Sequence, residues 1–255
     1  MNSIETLIEG SGVHDDWRPL LAESLLTLES DYLESLLRDD TWLPGVDRLL
    51  AAFRRNRSGV RYLLIGESPY PRHESANGIA FYDAAVDGLW SEQGLSKAVN
   101  RATSLRNIVK TALVAEGHLQ KDSAGKITQE SIARLDKRGL IRTLPELFQN
   151  LEQAGFLMLN ATPVLHSERK PAHEARYWLQ FLERLLALIA ENSSHRVTLL
   201  LWGKIAKLLE TIPASNHYDK IVCEHPYNIT FIDNPEMLQL FAGISVMRSC
   251  PTANS

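Results

Sequence analysis

Val60-Arg61-Tyr62-Leu63-Leu64-Ile65-Gly66-Glu67-Ser68-Pro69-Tyr70 passes abruptly from a branched apolar run to a turn built of glycine, charge, hydroxyl, proline and an aromatic ring. An apolar run this short, bounded by turn residues, reads as a strand buried on both faces. Three similar runs follow: Phe156 to Leu159, Val197 to Trp202 and Lys220 to Cys223. The segments between them carry helical spacing, in Leu105, Ile108, Val109, Ala112 and Leu113, in Leu144, Leu147, Phe148 and Leu151, and from Ala172 to Ala190. Strands separated by helices need crossover connections, and crossovers make parallel neighbours. The expectation is an α/β fold of three layers, α/β/α, with a central, mostly parallel four-stranded sheet flanked by helices. Upstream, Leu20 to Leu37 and Val46 to Arg55 also read as helical, with Pro44 and Gly45 punctuating the gap. One domain over 1–255 is expected, with a helical N-terminal part (1–58) and a core (59–247).

The composition agrees with one globular core: 255 residues, 44% hydrophobic and 23% charged. A formal net charge of -4 gives no global attraction to a polyanion, so nucleic-acid binding would rest on a local basic face or on backbone amides. No apolar run approaches the roughly 18 residues of a membrane span. The opening MNSIETLIEGSGVHDDW lacks the basic start and apolar centre of a secretory signal, so a cytoplasmic protein with no membrane partner is expected. Cys223 and Cys250 form no metal-ligand spacing and suit a reduced compartment. Neither a metal nor another cofactor is expected.

In an open α/β sheet, ligands bind outside the carboxyl ends of the strands. The residues there are rich in chemistry: Gly66-Glu67-Ser68-Pro69-Tyr70 after the first run, Asn160-Ala161-Thr162-Pro163 after the second, Gly203-Lys204 after the third, and Glu224-His225-Pro226-Tyr227-Asn228 after the fourth. Glycine, proline and an aromatic ring let backbone amides and a flat face approach a ligand.

These segments resemble the motifs of the uracil-DNA glycosylase superfamily. LLIGESPYPRHESANGIAFY is similar to that family's water-activating G-Q-D-P-Y, followed some ten residues later by G-L-C-F. TSLRNIVK resembles S-L-x-N-I-x-K, FLMLNATPVL the uracil-binding L-L-L-N strand, TLLLWG the L-L-W-G strand, and EHPYNIT the H-P-S-P-L-S loop. All five occur in the family's order, and DWRPLL resembles its S-W-x-x-x-L start.

The resemblance implies a base flipped out of the DNA stack into a fitted pocket. Gly66 would let the backbone approach the base. Phe81 would stack on it; by itself it could equally be a core aromatic. Asn160 would read the uracil edge with both halves of its amide, or else cap the following turn. Tyr70 would stand against C5 and leave no room for a methyl group; otherwise it is a packed loop tyrosine. His225 would stabilise the charge growing on the departing base, as a neutral imidazole. Alone, a histidine at a strand end is more often structural. Ile229 falls where the family places an apolar wedge that fills the vacated stack, and could otherwise be core. Ser104, Pro226 and Lys204 would contact the DNA backbone, contacts that position rather than specify; Lys204 could also be a solvated helix-start residue.

The departures are equally specific. Ser68 stands where the best-known family has a water-orienting aspartate, and losing general-base help typically costs about 10²- to 10⁴-fold. Glu67 resembles the glutamate in the G-E-A-P motif of the iron-sulfur-bearing relatives and is an alternative carboxylate, or a solvated loop residue. The four cysteines that hold the cluster in those relatives are absent, the chain having two. Asn100 to Ser104 replaces a proline-rich loop, and His166 to Pro171 corresponds to a loop that nears DNA. A glycosylase that removes uracil from single- or double-stranded DNA as a monomer is the expected function. The alternatives are an accessory DNA-binding protein that has lost hydrolysis and a glycosylase for another damaged base.

Overall fold

The computed structural model describes residues 3–166 and 171–249; Ser167 to Lys170, in the segment noted above, and Cys250 lie outside the described residues. The chain divides into two compact units, Met1–Ala84 with Gly155–Val222, and Ala85–Ala154 with Cys223–Ser255.

The first unit holds the sheet. Its strands are β1 (Tyr62–Gly66), β2 (Phe156–Asn160), β3 (Thr198–Trp202) and β4 (Asp219–Cys223), in the order β2-β1-β3-β4. Both neighbours of β1 run parallel to it, with Gly66 opposite Asn160 and Ile65 opposite Leu201. The α/β expectation is met, because each apolar run sits in the sheet within one or two residues of its anticipated limits. Successive side chains of a strand face opposite ways. Leu63, Ile65, Leu157, Leu159, Leu199 and Leu201 share one buried cluster with Leu182, Leu185, Leu186 and Ile189 of the helix Pro171–Asn192. Leu64, Met158 and Leu200, on the other face, are also buried, which is why β1, β2 and β3 read as unbroken apolar runs. The expectation that Lys220 to Cys223 is buried likewise is corrected, since Asp219, Lys220 and Val222 of this sheet-edge strand are exposed. Each such side chain contributes about 1.5–3 kcal/mol on burial.

A polar group sits inside this unit. Glu174 is fully buried; Tyr32 Oη donates to its Oε2 at 2.5 Å, and Trp178 Nε1 donates to Tyr32 Oη at 2.8 Å. Burial, with the hydrogen bond to Glu174, pushes the Tyr32 hydroxyl well above the ordinary tyrosine range.

Of the two N-terminal helical expectations, the first is met in two pieces and the second is corrected. Leu20 to Leu37 forms two helices, Arg18–Leu25 and Ser30–Arg38. Between them Thr27 turns its hydroxyl onto Ser24 O at 2.7 Å, and Glu29 is extended (ψ 134°). Val46 to Arg55 has helical apolar spacing but only a three-residue 3₁₀ turn, Ala51–Phe53. Its backbone bonds run to the third residue back, Arg48 N to Gly45 O and Ala51 N to Arg48 O, so the α ladder never starts.

The second unit is built on the helix Thr103–Ala115, which buries Leu105, Ile108, Val109, Ala112 and Leu113 as the spacing predicts. The helix Leu144–Gln153 opens with a reciprocal cap between Thr143 and Glu146. The helix Pro235–Ile244 is capped by Asn234, whose side chain accepts from Glu236 N and Met237 N. Among the described residues no helix is long and apolar enough to cross a membrane.

Candidate active site

In the first unit, the turns leaving β1 and β2 are joined by backbone hydrogen bonds: Ala161 N donates to Gly66 O at 2.8 Å and Thr162 N to Glu67 O at 3.0 Å. Ala80 N donates to Met158 O at 3.3 Å, which lays the end of the Gly66–Phe81 loop along β2. Gly66 is where these pieces meet. A Cβ there would lie 2.8 Å from Asn160 Oδ1, 3.0 Å from Ala80 Cβ and 3.6 Å from the Phe81 ring. Only a residue without a side chain admits the amide and the ring so close to the backbone.

Asn160 is half-buried, and its amide makes no hydrogen bond to any described residue, so it does not cap the turn that follows. Both its donor and its acceptor remain available to a ligand edge. Phe81 is half-buried rather than core, packs edge-on to Trp202 with ring centroids 5.0 Å apart, and has φ of 64°. A bulky residue in the left-handed region is a strained placement that its surroundings must hold, and such placements cluster at ligand sites.

Tyr70 is half-buried, with its hydroxyl donating to Phe81 O at 3.4 Å. Burial and the nearby Asp83 carboxylate push this phenol up to about 12, against an opposing contribution from Arg72. Ser68 is half-buried, whereas Glu67 is exposed. Lys204 is exposed at the start of the helix Ile205–Glu210.

In the second unit, His225, Pro226 and Ile229 lie on one loop after β4. His225 O accepts from Asn228 N at 2.9 Å, closing a tight turn. Within it, Tyr227 N donates to His225 Nδ1 at 3.1 Å. A ring nitrogen that accepts carries no proton, so the neutral imidazole bears its proton on Nε2 and presents that atom as a donor. Ile229 is 63% and Tyr227 68% exposed, so neither is a core residue. Ser104 is half-buried in the first turn of the helix Thr103–Ala115.

The loop is braced from its flank. Asn234 Nδ2 donates to Glu224 Oε2 at 3.0 Å. Partial burial alone would raise the Glu224 carboxyl, but hydrogen bonds from its own backbone, Thr230 and Asn234 hold it below the ordinary carboxylate range.

Several supporting residues escape a reading of the sequence. Asp83 is 4% exposed and pairs with Arg72 at 3.1 Å, which pins together the two limbs of the loop that carries Tyr70. A charged residue directly after GIAFY was the available signal. Trp202 reads as the last residue of a strand, and only packing brings it to Phe81. Asn107 lies within TSLRNIVK, and its signal was a polar side chain on the apolar stripe of a helix.

The chain was compared with known proteins. The family model described as the uracil DNA glycosylase superfamily matches residues 54–241. A uracil-DNA glycosylase of Amoebophilus asiaticus is 22% identical over 82% of this chain and 82% of its own length. One from Corynebacterium glutamicum is 25% identical over 81% and 77%. Among solved structures, the wild-type UNG of Nitratifractor salsuginis superposes with a TM-score of 0.91 at 39% identity, covering 96% of this chain and 97% of that one. Mimivirus uracil-DNA glycosylase shares the fold, with a TM-score of 0.56 at 16% identity over 88% and 72%. With its motifs in order along a parallel sheet and a family match running from before β1 to the final described helix, this chain belongs to the uracil-DNA glycosylase superfamily.

Proposed function

We propose that the protein is a DNA repair glycosylase that hydrolyses the N-glycosidic bond of uracil in DNA and leaves an abasic site. The observation that carries this reading is the meeting of the Asn160 amide and the Phe81 ring over Gly66, in a member of this superfamily. In this reading Phe81 stacks on the flipped base, Asn160 pairs with its edge, and Tyr70 excludes a C5 methyl group. Cleavage leaves negative charge on the base, and the Nε2 proton of His225 stabilises it as it forms. Ile229 enters the vacated stack, and Ser104 and Lys204 contact the backbone of single- or double-stranded DNA, while Pro226, which is buried, shapes the loop instead. The protein acts as a monomer. A neutral Ser68 orients water without supplying charge, so hydrolysis is slower than with an aspartate, by up to about 10²- to 10⁴-fold.

A second reading, an accessory DNA-binding protein without hydrolysis, is favoured by Ser68 together with the exposure of Glu67. Uracil release from a single-stranded uracil-containing oligonucleotide separates the two, comparing the native chain with Glu67→Gln and Ser68→Asp. Native release supports the glycosylase, and its loss in Glu67→Gln would assign the carboxylate to Glu67. No native release, with release gained in Ser68→Asp, would overturn the first reading in favour of the second. Release of a different damaged base, with uracil left intact, would instead mean that Tyr70 does not set the specificity.

A further inference from the structure

Asn107 is fully buried on the helix Thr103–Ala115. Its Nδ2 donates to Pro226 O at 2.7 Å and to Asn228 O at 3.2 Å. Two carbonyls at one end of the amide settle its orientation, because the flipped amide would set oxygen against oxygen. Its Oδ1 is buried and accepts from no described residue. The side chain therefore works through its donor half alone, and a leucine in this place would leave the Pro226 and Asn228 carbonyls without that donor.

The carbonyl of Pro226 and the N–H of Tyr227 are two ends of one peptide group, which is planar and rigid with oxygen and hydrogen on opposite sides. Asn107 holds the oxygen end, and the hydrogen end points at His225 Nδ1, 3.1 Å away. Its second bond, to Asn228 O, holds the next turn of the loop.

We infer that Asn107 is a positioning residue for His225, fixing the peptide between Pro226 and Tyr227 so that the imidazole keeps its proton on Nε2 and its ring in one orientation. This rests on the reading of His225 as the donor to the departing base. Hydrogen bonds in such a chain also polarise one another, so the amide of Asn107 strengthens the bond from Tyr227 N–H to the ring.

The test is a double-mutant cycle in single-turnover uracil release, with Asn107→Ala and His225→Gln alone and together. The isosteric Asn107→Asp serves as a second variant, since it keeps the shape and sets a carboxylate against the two carbonyls. Asn107→Ala is expected to slow release by about tenfold or more, but by less than about twofold once His225 is replaced, as for residues acting as a unit. Equal slowing in both backgrounds, or none in either, overturns the inference while leaving His225 in place. A native rate in His225→Gln removes His225 from the chemistry and overturns both.

An activity-independent arm uses ring ¹⁵N spectra, with the His225 signals identified by their loss in His225→Gln. The native ring should show an unprotonated, hydrogen-bonded Nδ1, and Asn107→Asp or Asn107→Ala a mixture of tautomers in a protein that still melts cooperatively. An unchanged His225 spectrum in either folded variant overturns the inference, even in a chain that releases no uracil.

Discussion

Gly66 and Asn160 are register partners at the carboxyl ends of adjacent parallel strands, and a single added carbon on Gly66 would come within 2.8 Å of the Asn160 amide oxygen. Gly66→Ala therefore drives the Asn160 amide out of place and also presses on Ala80 Cβ, which can yield only with its backbone. Overpacking of this kind costs about 1–3 kcal/mol. The functional loss should be larger than the stability loss suggests: uracil release falls by about tenfold or more because the reader is displaced. Melting curves and release rates measured on one preparation check this, and a native rate would mean that Asn160 does not read the base.

Tyr70 sits between opposing charges. Burial is the main reason its hydroxyl ionises near 12, Asp83 adds to the rise and Arg72 opposes it. Asp83→Asn should lower the ultraviolet titration midpoint of Tyr70, though not to the ordinary value of about 10. Arg72→Gln should raise it. Because the folded value lies above the unfolded one, the neutral phenol adds stability below about pH 10, and that stability is lost as pH rises through 10 toward 12. Movement in the opposite direction in either variant would remove the ion pair from the environment of Tyr70.

Tyr32→Phe deletes the donor to the fully buried Glu174 and the acceptor of Trp178 Nε1. Leaving buried polar groups short of a partner costs about 1–3 kcal/mol each, more where a charge is involved. The urea midpoint should fall by an amount equivalent to about 2–4 kcal/mol, with the slope unchanged. Uracil release at low temperature should stay native, because this cluster lies in the helical core rather than at the strand ends.

The Glu224 carboxylate braces the His225 loop through Thr230 and Asn234. Its folded pKa is depressed, so its contribution is complete above the unfolded value of about 4.3 and fades as pH falls through the lower folded value. Amide signals of Thr230 and Asn234, whose side chains hold the carboxylate, should hold steady from neutral pH to about pH 5, then broaden on further acidification. In Glu224→Gln the broadening should be present already at neutral pH and vary little with acid. A loop equally ordered in the variant would assign the bracing to other contacts.

Much of the fold was legible because β1, β2 and β3 are buried on both faces, whereas β4 is mostly exposed. Burial on both sides makes a strand such as Leu63-Leu64-Ile65 a continuous apolar run, a signal that survives without knowledge of its neighbours. The segment Val46 to Arg55 misled because apolar spacing reports which side is buried, not which backbone bond is made. There the bonds close one residue early. The candidate site was legible where strand ends announce themselves, in Gly66, Asn160 and His225.

By itself the sequence determined the α/β class, the order of the strands along the chain, and the short list of side chains placed at their ends, since each follows from local composition and spacing. Only the tertiary structure decided how tightly Asn160 and Phe81 crowd Gly66, that Glu67 faces solvent, that Ile229 stands out of the core, and that Asn107 reaches the loop of His225. These are relations between residues as many as 121 positions apart, as for Asn107 and Asn228. They depend on distances of a few tenths of an ångström and on which way a peptide plane is turned, and neither quantity is carried by residue type or spacing.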